Sequence, residues 1–124
     1  MTAEEFITKV RQVVYDPAIS GTLSVIQRPP GRRPSENLTA LSAWYAQLSE
    51  NDRKMLQSAV ALAARGATFG MLAVLDGVRQ IEETPEKGTL ELWYAKGDRR
   101  VLLNSSRSEH LHDLFNRELE RSAG

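Results

Sequence analysis

The chain has 124 residues, of which 41% are hydrophobic and 26% are charged, as is typical of a soluble globular protein. We therefore expect a single domain over residues 1–124. The 16 Lys and Arg residues balance 16 Asp and Glu residues. This balance disfavours general nucleic-acid binding, which requires a strongly basic surface.

The sequence contains no cysteine. That excludes disulfide bonds, thiolate catalysis, cysteine-ligated zinc and iron–sulfur clusters. The N-terminal residues, MTAEEF, are acidic, whereas a signal peptide begins with basic residues and a long apolar run. The most apolar stretch, residues 67–75, is about half the length needed to cross a bilayer. We expect a cytoplasmic protein without a membrane partner.

The first part of the chain favours helix. Thr2 and Glu5 have the spacing of a capping box at a helix N-terminus. Asp16-Pro17 indicates a new helix start, because Pro is favoured at the first helical position. Ile19, Leu23 and Ile26 then lie on one helical face, although a strand over residues 22–26 is the alternative because that piece also alternates.

Two further helix starts follow a proline-rich break. Ser35 is placed to cap a helix that carries Leu38, Leu41, Tyr45 and Leu48 at helical spacing. Ser49 and Asp52 begin a long helical region whose apolar stripe extends to Val78 and Ile81. Gly66 either interrupts this region or lies within one continuous helix.

The apolar period changes from 3.6 to 2 after a turn at residues 84–88. Gly97-Asp98 is a suitable two-residue hairpin loop of type II′. This loop predicts that Tyr94 pairs with Val101, Leu92 with Leu103 and Trp93 with Leu102. A final helix is expected to begin at Ser106 or Ser108 and to bury Leu111, Leu114, Phe115 and Leu119.

These elements predict a mainly helical α+β fold. About six helical segments would pack with one antiparallel β-hairpin at about residues 89–104. A hairpin that carries apolar side chains on both faces needs such helices, since an isolated hairpin is only marginally stable.

The segment Arg28-Pro29-Pro30-Gly31-Arg32-Arg33-Pro34 is rigid and cationic. The guanidinium groups of Arg28, Arg32 and Arg33 are suited to bind a phosphate or a carboxylate. A polyproline-II backbone is also suited to dock into an aromatic groove of a partner. The simpler interpretation is a surface loop whose arginines pair with acidic residues of this chain.

Glu109, His110, His112 and Asp113 form the histidine cluster of the chain. Two histidines on one helix bind a common metal when they are four residues apart, and these are two apart. We therefore expect no metal site, with His112 beside the hairpin and bound to a backbone partner, and with His110 exposed. His112 remains a candidate acid or base.

Asp76 lies within the apolar run Val74-Leu75-Asp76-Gly77-Val78. A structural salt bridge or hydrogen bond, for example to an arginine, is the favoured interpretation of this carboxylate. The alternative is a buried catalytic acid. No phosphate-binding glycine loop or nucleophile-elbow serine is present, so no cofactor is expected.

Trp44-Tyr45 and Trp93-Tyr94 are adjacent aromatic pairs. One member of each pair is expected to face outwards, where Trp44 or Trp93 would suit a binding interface. The competing interpretation is that both tryptophans complete the core between the hairpin and the helices.

The order of these motifs, from the Pro/Arg segment through Phe69-Gly70 and Val74-Leu75-Asp76-Gly77-Val78 to Leu111-His112-Asp113-Leu114-Phe115-Asn116, is similar to a group of small single-domain bacterial proteins of unknown function. The resemblance implies a bacterial, cytoplasmic, standalone domain, and it brings no site residues.

The leading functional hypothesis is a non-enzymatic protein-binding or accessory module of the immunity or regulatory type. Its partner would be another protein or a second copy of the chain. The alternative is a small enzyme or anionic-ligand-binding protein with a cleft formed by Asp76, His112 and Arg32 or Arg33. Nucleic-acid binding through the Pro/Arg loop is the least favoured hypothesis.

Overall fold

A computed structural model describes residues 1–123 and has the predicted class, a mainly helical α+β fold with one antiparallel hairpin. The elements in chain order are α1 (Ala3–Val10), a π-helical turn (Arg11–Tyr15), α2 (Asp16–Gln27), α3 (Glu36–Ala46), α4 (Glu50–Leu75), β1 (Trp93–Lys96), β2 (Arg99–Leu102) and α5 (Leu111–Ala123). Because α1, the π turn and α2 are continuous, residues 1–123 form four separate helices and not the predicted six.

The start of α1 confirms the predicted capping box, since the Thr2 hydroxyl accepts from the Glu5 N–H and the Glu5 carboxylate accepts from the Thr2 N–H. Helix α2 begins at Asp16 as predicted, with Pro17 in its first turn, but its N-cap is Tyr15 and no break in the helix precedes it. The helix continues through the π turn, which rearranges the backbone hydrogen bonds just before Pro17. That rearrangement accommodates a proline that has no N–H of its own. Residues 22–26 are helix, so the alternative strand is excluded.

The predicted caps Ser35 and Ser49 are confirmed, since their hydroxyls accept from the N–H groups of Leu38 and Asp52. Helix α4 passes through Gly66 without interruption. It ends earlier than predicted because Gly77 adopts a φ of 79°. The Gly77 and Val78 N–H groups then close the end of the helix on the carbonyls of Val74 and Ala73.

The predicted continuation of the apolar stripe to Val78 and Ile81 is therefore wrong. Both residues follow the helix, and they are 54% and 65% exposed. Glycine at the residue after a helix C-cap is a strong termination signal because it adopts positive φ without steric cost. This local signal ends α4 despite the favourable spacing of the apolar residues beyond it.

The hairpin has the predicted register, with Trp93 opposite Leu102 and Tyr94 opposite Val101. The Leu103 N–H also donates to the Leu92 carbonyl at 2.8 Å. Gly97 has a φ of 59° and Asp98 has a negative φ, as a type II′ turn requires. The regular strands, residues 93–102, are shorter than the predicted 89–104.

The chain forms two compact units. Unit 1 consists of Met1–Val14 together with the residues from Gly66 onwards. In unit 1, α1 packs against α5. Its buried apolar side chains are Ile7, Leu72, Ala73, Leu103, Leu111, Leu114, Phe115 and Leu119, which confirms the predicted stripe of α5. Glu118 is also buried, and it accepts hydrogen bonds from Arg11 and Thr8.

Unit 2 consists of Tyr15–Arg65. In this unit α2 packs against α3, and Gln27 donates to the Tyr45 hydroxyl at 3.0 Å. The Arg53 guanidinium lies 4.6 Å from the centre of the Tyr45 ring. Among the described residues of unit 2, only Ile26 and Tyr45 are buried apolar side chains. Unit 2 therefore leaves most of its apolar side chains in contact with solvent.

We predict that Gly66→Ala stabilises the protein by about 0.5–1 kcal/mol, because alanine loses less backbone entropy than glycine within a helix. No atom lies within 4 Å of the position that the new Cβ would occupy. Urea unfolding followed by circular dichroism measures the change. A loss of stability would show that another group contacts α4 closely at Gly66.

Candidate functional site

Asp76 lies immediately after α4, and its side chain is only 3% exposed. Its carboxylate accepts hydrogen bonds from the N–H groups of Leu111 and His112, at 3.0 and 2.9 Å. These are the first two residues of α5, whose N–H groups have no partner within the helix. Asp76 thus caps a helix that begins 35 residues later in the chain.

This arrangement corrects the prediction that Ser106 or Ser108 caps the last helix. The helix begins only at Leu111, so both serines precede it by several residues. A carboxylate is also well suited to this position, because the N-terminal end of a helix carries partial positive charge.

The imidazole of His112 also binds Asp76, with Nδ1 2.6 Å from Oδ2. Its side chain is 12% exposed, and its ring forms a T-shaped pair with the ring of Phe69 at a centroid distance of 5.2 Å. The polar partners of Asp76 are therefore the His112 ring and the N–H groups of Leu111 and His112. The sequence had suggested an arginine as the partner. His112 is held by a carboxylate from the end of α4, and not by a backbone group.

His110 is brought to the same place. Its ring lies perpendicular to that of His112, with centroids 5.1 Å apart, and it is half-buried and not exposed as expected. One donor atom each of Asp76, His110 and His112 lies within 4.8 Å of the others. The expectation that the two histidines diverge assumed a helix through both, but His110 precedes the first residue of α5.

The two flanking carboxylates have separate surroundings. Glu109 forms an exposed ion pair with Arg117. Asp113 is 59% exposed, and its Oδ1 lies 3.5 Å from His112 Nε2. Both ring nitrogens of His112 therefore face a carboxylate.

Asn104 is a central residue that sequence reasoning missed. Its amide nitrogen donates to the carbonyls of Leu75 and Leu90, at 2.7 and 2.8 Å. Its amide oxygen accepts from the Leu92 N–H at 2.8 Å. Asn104 thereby joins the end of α4 to the residues beside the hairpin. Its position in the sequence could have indicated this role, because Asn104 directly follows Leu103, which is predicted to pair with Leu92.

A cavity of about 410 Å³ opens beside this cluster in unit 1. Asp76, Arg79, Lys87, Asn104 and His110 contribute polar side chains to its wall. The two cationic side chains in this wall, Arg79 and Lys87, come from the segment that follows α4.

The other predicted site residues are exposed. Arg28, Arg32 and Arg33 are exposed in unit 2, whereas Asp76 and His112 belong to unit 1. Trp44 and Trp93 are 48% and 43% exposed, so neither is buried in the core. The guanidinium of Arg100 lies 4.9 Å from the centre of the Trp93 ring.

A second surface feature lies on α4 within unit 2. Met55, Ala59, Leu62 and Ala63 share one side of the helix because their spacing matches the helical repeat. We call these four residues the α4 apolar face. Met55 and Leu62 are 64% and 73% exposed, and both alanines are exposed as well.

Helix α4 also meets the length and composition of a membrane-spanning helix. An 18-residue window within it has a mean hydropathy of 1.6, and 17% of that window is buried. The helix is therefore far more exposed than the core helix of a globular protein.

Comparisons with protein-family models, with curated proteins and with solved structures find no match. The function must therefore be inferred from the two features above, the Asp76 cluster and the α4 apolar face.

We predict that Asp76→Ala destabilises the protein by about 2–4 kcal/mol, because it removes a helix cap and a charged hydrogen-bond acceptor together. Asp76→Asn retains one oxygen acceptor and should cost less. Urea unfolding of both variants measures these losses. A loss below about 1 kcal/mol for Asp76→Ala would contradict the capping role.

We also predict that Asn104→Asp is more destabilising than Asn104→Ala. Aspartate removes both N–H donors and places a negative charge near the carbonyls of Leu75 and Leu90. Each unpaired buried polar group costs about 1–3 kcal/mol. Urea unfolding midpoints of the two variants test this order of stability. A lower midpoint for Asn104→Ala would show that the Leu75 and Leu90 carbonyls do not need the N–H donors of Asn104.

Proposed function

We propose that the chain is a protein-binding module that acts in the cytoplasm, and that the α4 apolar face is its binding surface. The observation that carries the proposal is the exposure of Leu62. Leu62 is 73% exposed, so its side chain gains little hydrophobic free energy from burial within its own chain. A partner that covers this side chain would supply that free energy.

The shape of the α4 apolar face supports a helical partner. Ala59 and Ala63 are small, so another helix could approach the backbone between the larger side chains of Met55 and Leu62. Ridge-into-groove packing brings two such helices to an axial distance of about 8–10 Å. An amphipathic helix of another protein is therefore the occupant that we propose.

Unit 2 carries further exposed apolar residues that could enlarge the interface. Val25 of α2 and Leu41 and Trp44 of α3 are between 36% and 48% exposed. Exposed tryptophan is enriched among the residues that dominate binding energy. These side chains support a role for unit 2 in binding, while the Asp76 cluster lies in unit 1.

Site-directed photo-crosslinking tests the proposal in cells of the source organism. A photoreactive amino acid at position 62 should yield a crosslink to one protein of defined mass. The same amino acid at position 57 is the matched control, because Gln57 is exposed on the opposite side of α4. A crosslink of twice the mass of the chain would identify a second copy as the partner instead.

We predict that Leu62→Gln leaves stability within about 0.5 kcal/mol of the unmodified protein, as for other exposed positions. The same substitution should weaken partner binding by at least about tenfold if Leu62 lies at the centre of the interface. Thermal unfolding measures the change in stability. Titration with the purified partner that the crosslinking identifies measures the change in affinity.

Two results would contradict the proposal. A large loss of stability in Leu62→Gln would indicate that the chain itself covers this face. Flotation with lipid vesicles, together with equal crosslinking at positions 57 and 62, would indicate a membrane-embedded α4.

A further inference from the structure

We propose that Asp76, His110 and His112 bind one divalent transition-metal ion of the zinc class. The proposal is independent of the protein-binding role, because it concerns unit 1 alone. Imidazole nitrogens and a carboxylate oxygen are ligands that Zn²⁺ accepts in sites with three protein ligands and one open position. The same donor set also binds Co²⁺ and Ni²⁺.

The donor atoms are already gathered in the folded chain. One from each residue lies within 4.8 Å of the others, whereas ligands of a tetrahedral Zn²⁺ with bonds of about 2.0–2.1 Å lie about 3.3 Å apart. Closing the cluster therefore requires movements of at most about 1.5 Å. His110 can supply most of this movement, because it precedes α5 and its side chain is only half-buried.

Without a metal ion, a hydrogen atom joins His112 to Asp76. A carboxylate oxygen accepts and a ring N–H donates, so the 2.6 Å contact between Nδ1 and Oδ2 is a hydrogen bond with the ring hydrogen on Nδ1. This distance is too short for two ligands of one zinc ion. The metal must therefore take the place of that hydrogen atom.

The second carboxylate beside His112 makes this exchange possible. When Nδ1 binds the metal, its hydrogen moves to Nε2, so the ring still carries an N–H. Asp113 Oδ1 lies 3.5 Å from Nε2 and can accept it after a small shift. A metal-bound histidine that donates its other N–H to a carboxylate is a common arrangement in metal sites.

The site is also held in place by groups that do not bind the ion. The Asp76 carboxylate is fixed by the Leu111 and His112 N–H groups, and the His112 ring is fixed by its T-shaped contact with the Phe69 ring. The cavity beside Asp76 and His110 gives an ion access from solvent. Fixed ligands lose less conformational freedom on binding and so favour affinity.

Calorimetric titration of the full chain with ZnCl₂ in a non-chelating buffer tests the proposal. We expect one ion per chain with a Kd of about 10 µM or tighter, and a Zn²⁺-dependent rise in the unfolding temperature. Co²⁺ should give the visible absorption of a four-coordinate site, which Zn²⁺ then abolishes.

His110→Gln is the decisive variant, since it removes a ligand while leaving the Asp76–His112 contact intact. It should weaken Zn²⁺ binding by at least about tenfold, with circular dichroism and metal-free unfolding close to those of the unmodified chain. Glu109→Gln is the matched control, because Glu109 neighbours His110 but is paired with Arg117 outside the cluster. We expect its affinity for Zn²⁺ to be unchanged.

Nitrogen-15 NMR of the histidine rings tests the exchange itself. On Zn²⁺ addition, the His112 Nδ1 signal should change to that of a metal-bound nitrogen and Nε2 should carry the hydrogen. Three results would overturn the proposal: no saturable binding up to about 1 mM Zn²⁺, equal affinity in His110→Gln, or a His112 Nδ1 signal that Zn²⁺ leaves unchanged.

Discussion

The carboxylate of Asp76 is the constraint on which unit 1 depends. It joins the end of α4 to the start of α5 by accepting two backbone N–H groups and the His112 ring. A buried carboxylate is costly unless it is hydrogen-bonded, and these three contacts offset that cost. Because α5 supplies Leu111, Leu114, Phe115 and Leu119 to the core, fixing its first turn also fixes how that apolar stripe meets α1.

Unit 1 and unit 2 use their apolar residues differently. Within residues 1–123, unit 1 buries eight apolar residues and pairs its buried Glu118 with Arg11 and Thr8. Unit 2 buries Ile26 and Tyr45 among its described residues and leaves Met55 and Leu62 in solvent. The proposed binding role of the α4 apolar face rests on this exposure.

The features predicted correctly are those that depend on interactions between residues close together in the sequence. The caps at Thr2, Ser35 and Ser49 each depend on a partner three residues away, and the hairpin register follows from its two-residue loop. Errors arose where one local signal outweighed another, as when Gly77 ended α4 before Val78 and Ile81.

The candidate site lay beyond sequence reasoning for a different reason. The pairing of Asp76 with His112 spans 36 residues, and nothing in either local sequence specifies the other. The spacing of the histidines excludes a shared metal only if one helix contains both, and α5 begins after His110. That late start is itself a consequence of Asp76, which caps α5 at Leu111.

The same contacts link metal binding to folding. Asp76 can bind an ion only by giving up its hydrogen bond to the His112 ring, while the Leu111 and His112 N–H groups continue to hold the carboxylate. The ion would then replace one hydrogen atom between α4 and α5 with coordination bonds to Asp76, His110 and His112. Metal affinity that depends on a folded arrangement of ligands adds to the stability of that arrangement. A bound ion would therefore suppress local unfolding most strongly in the first turn of α5.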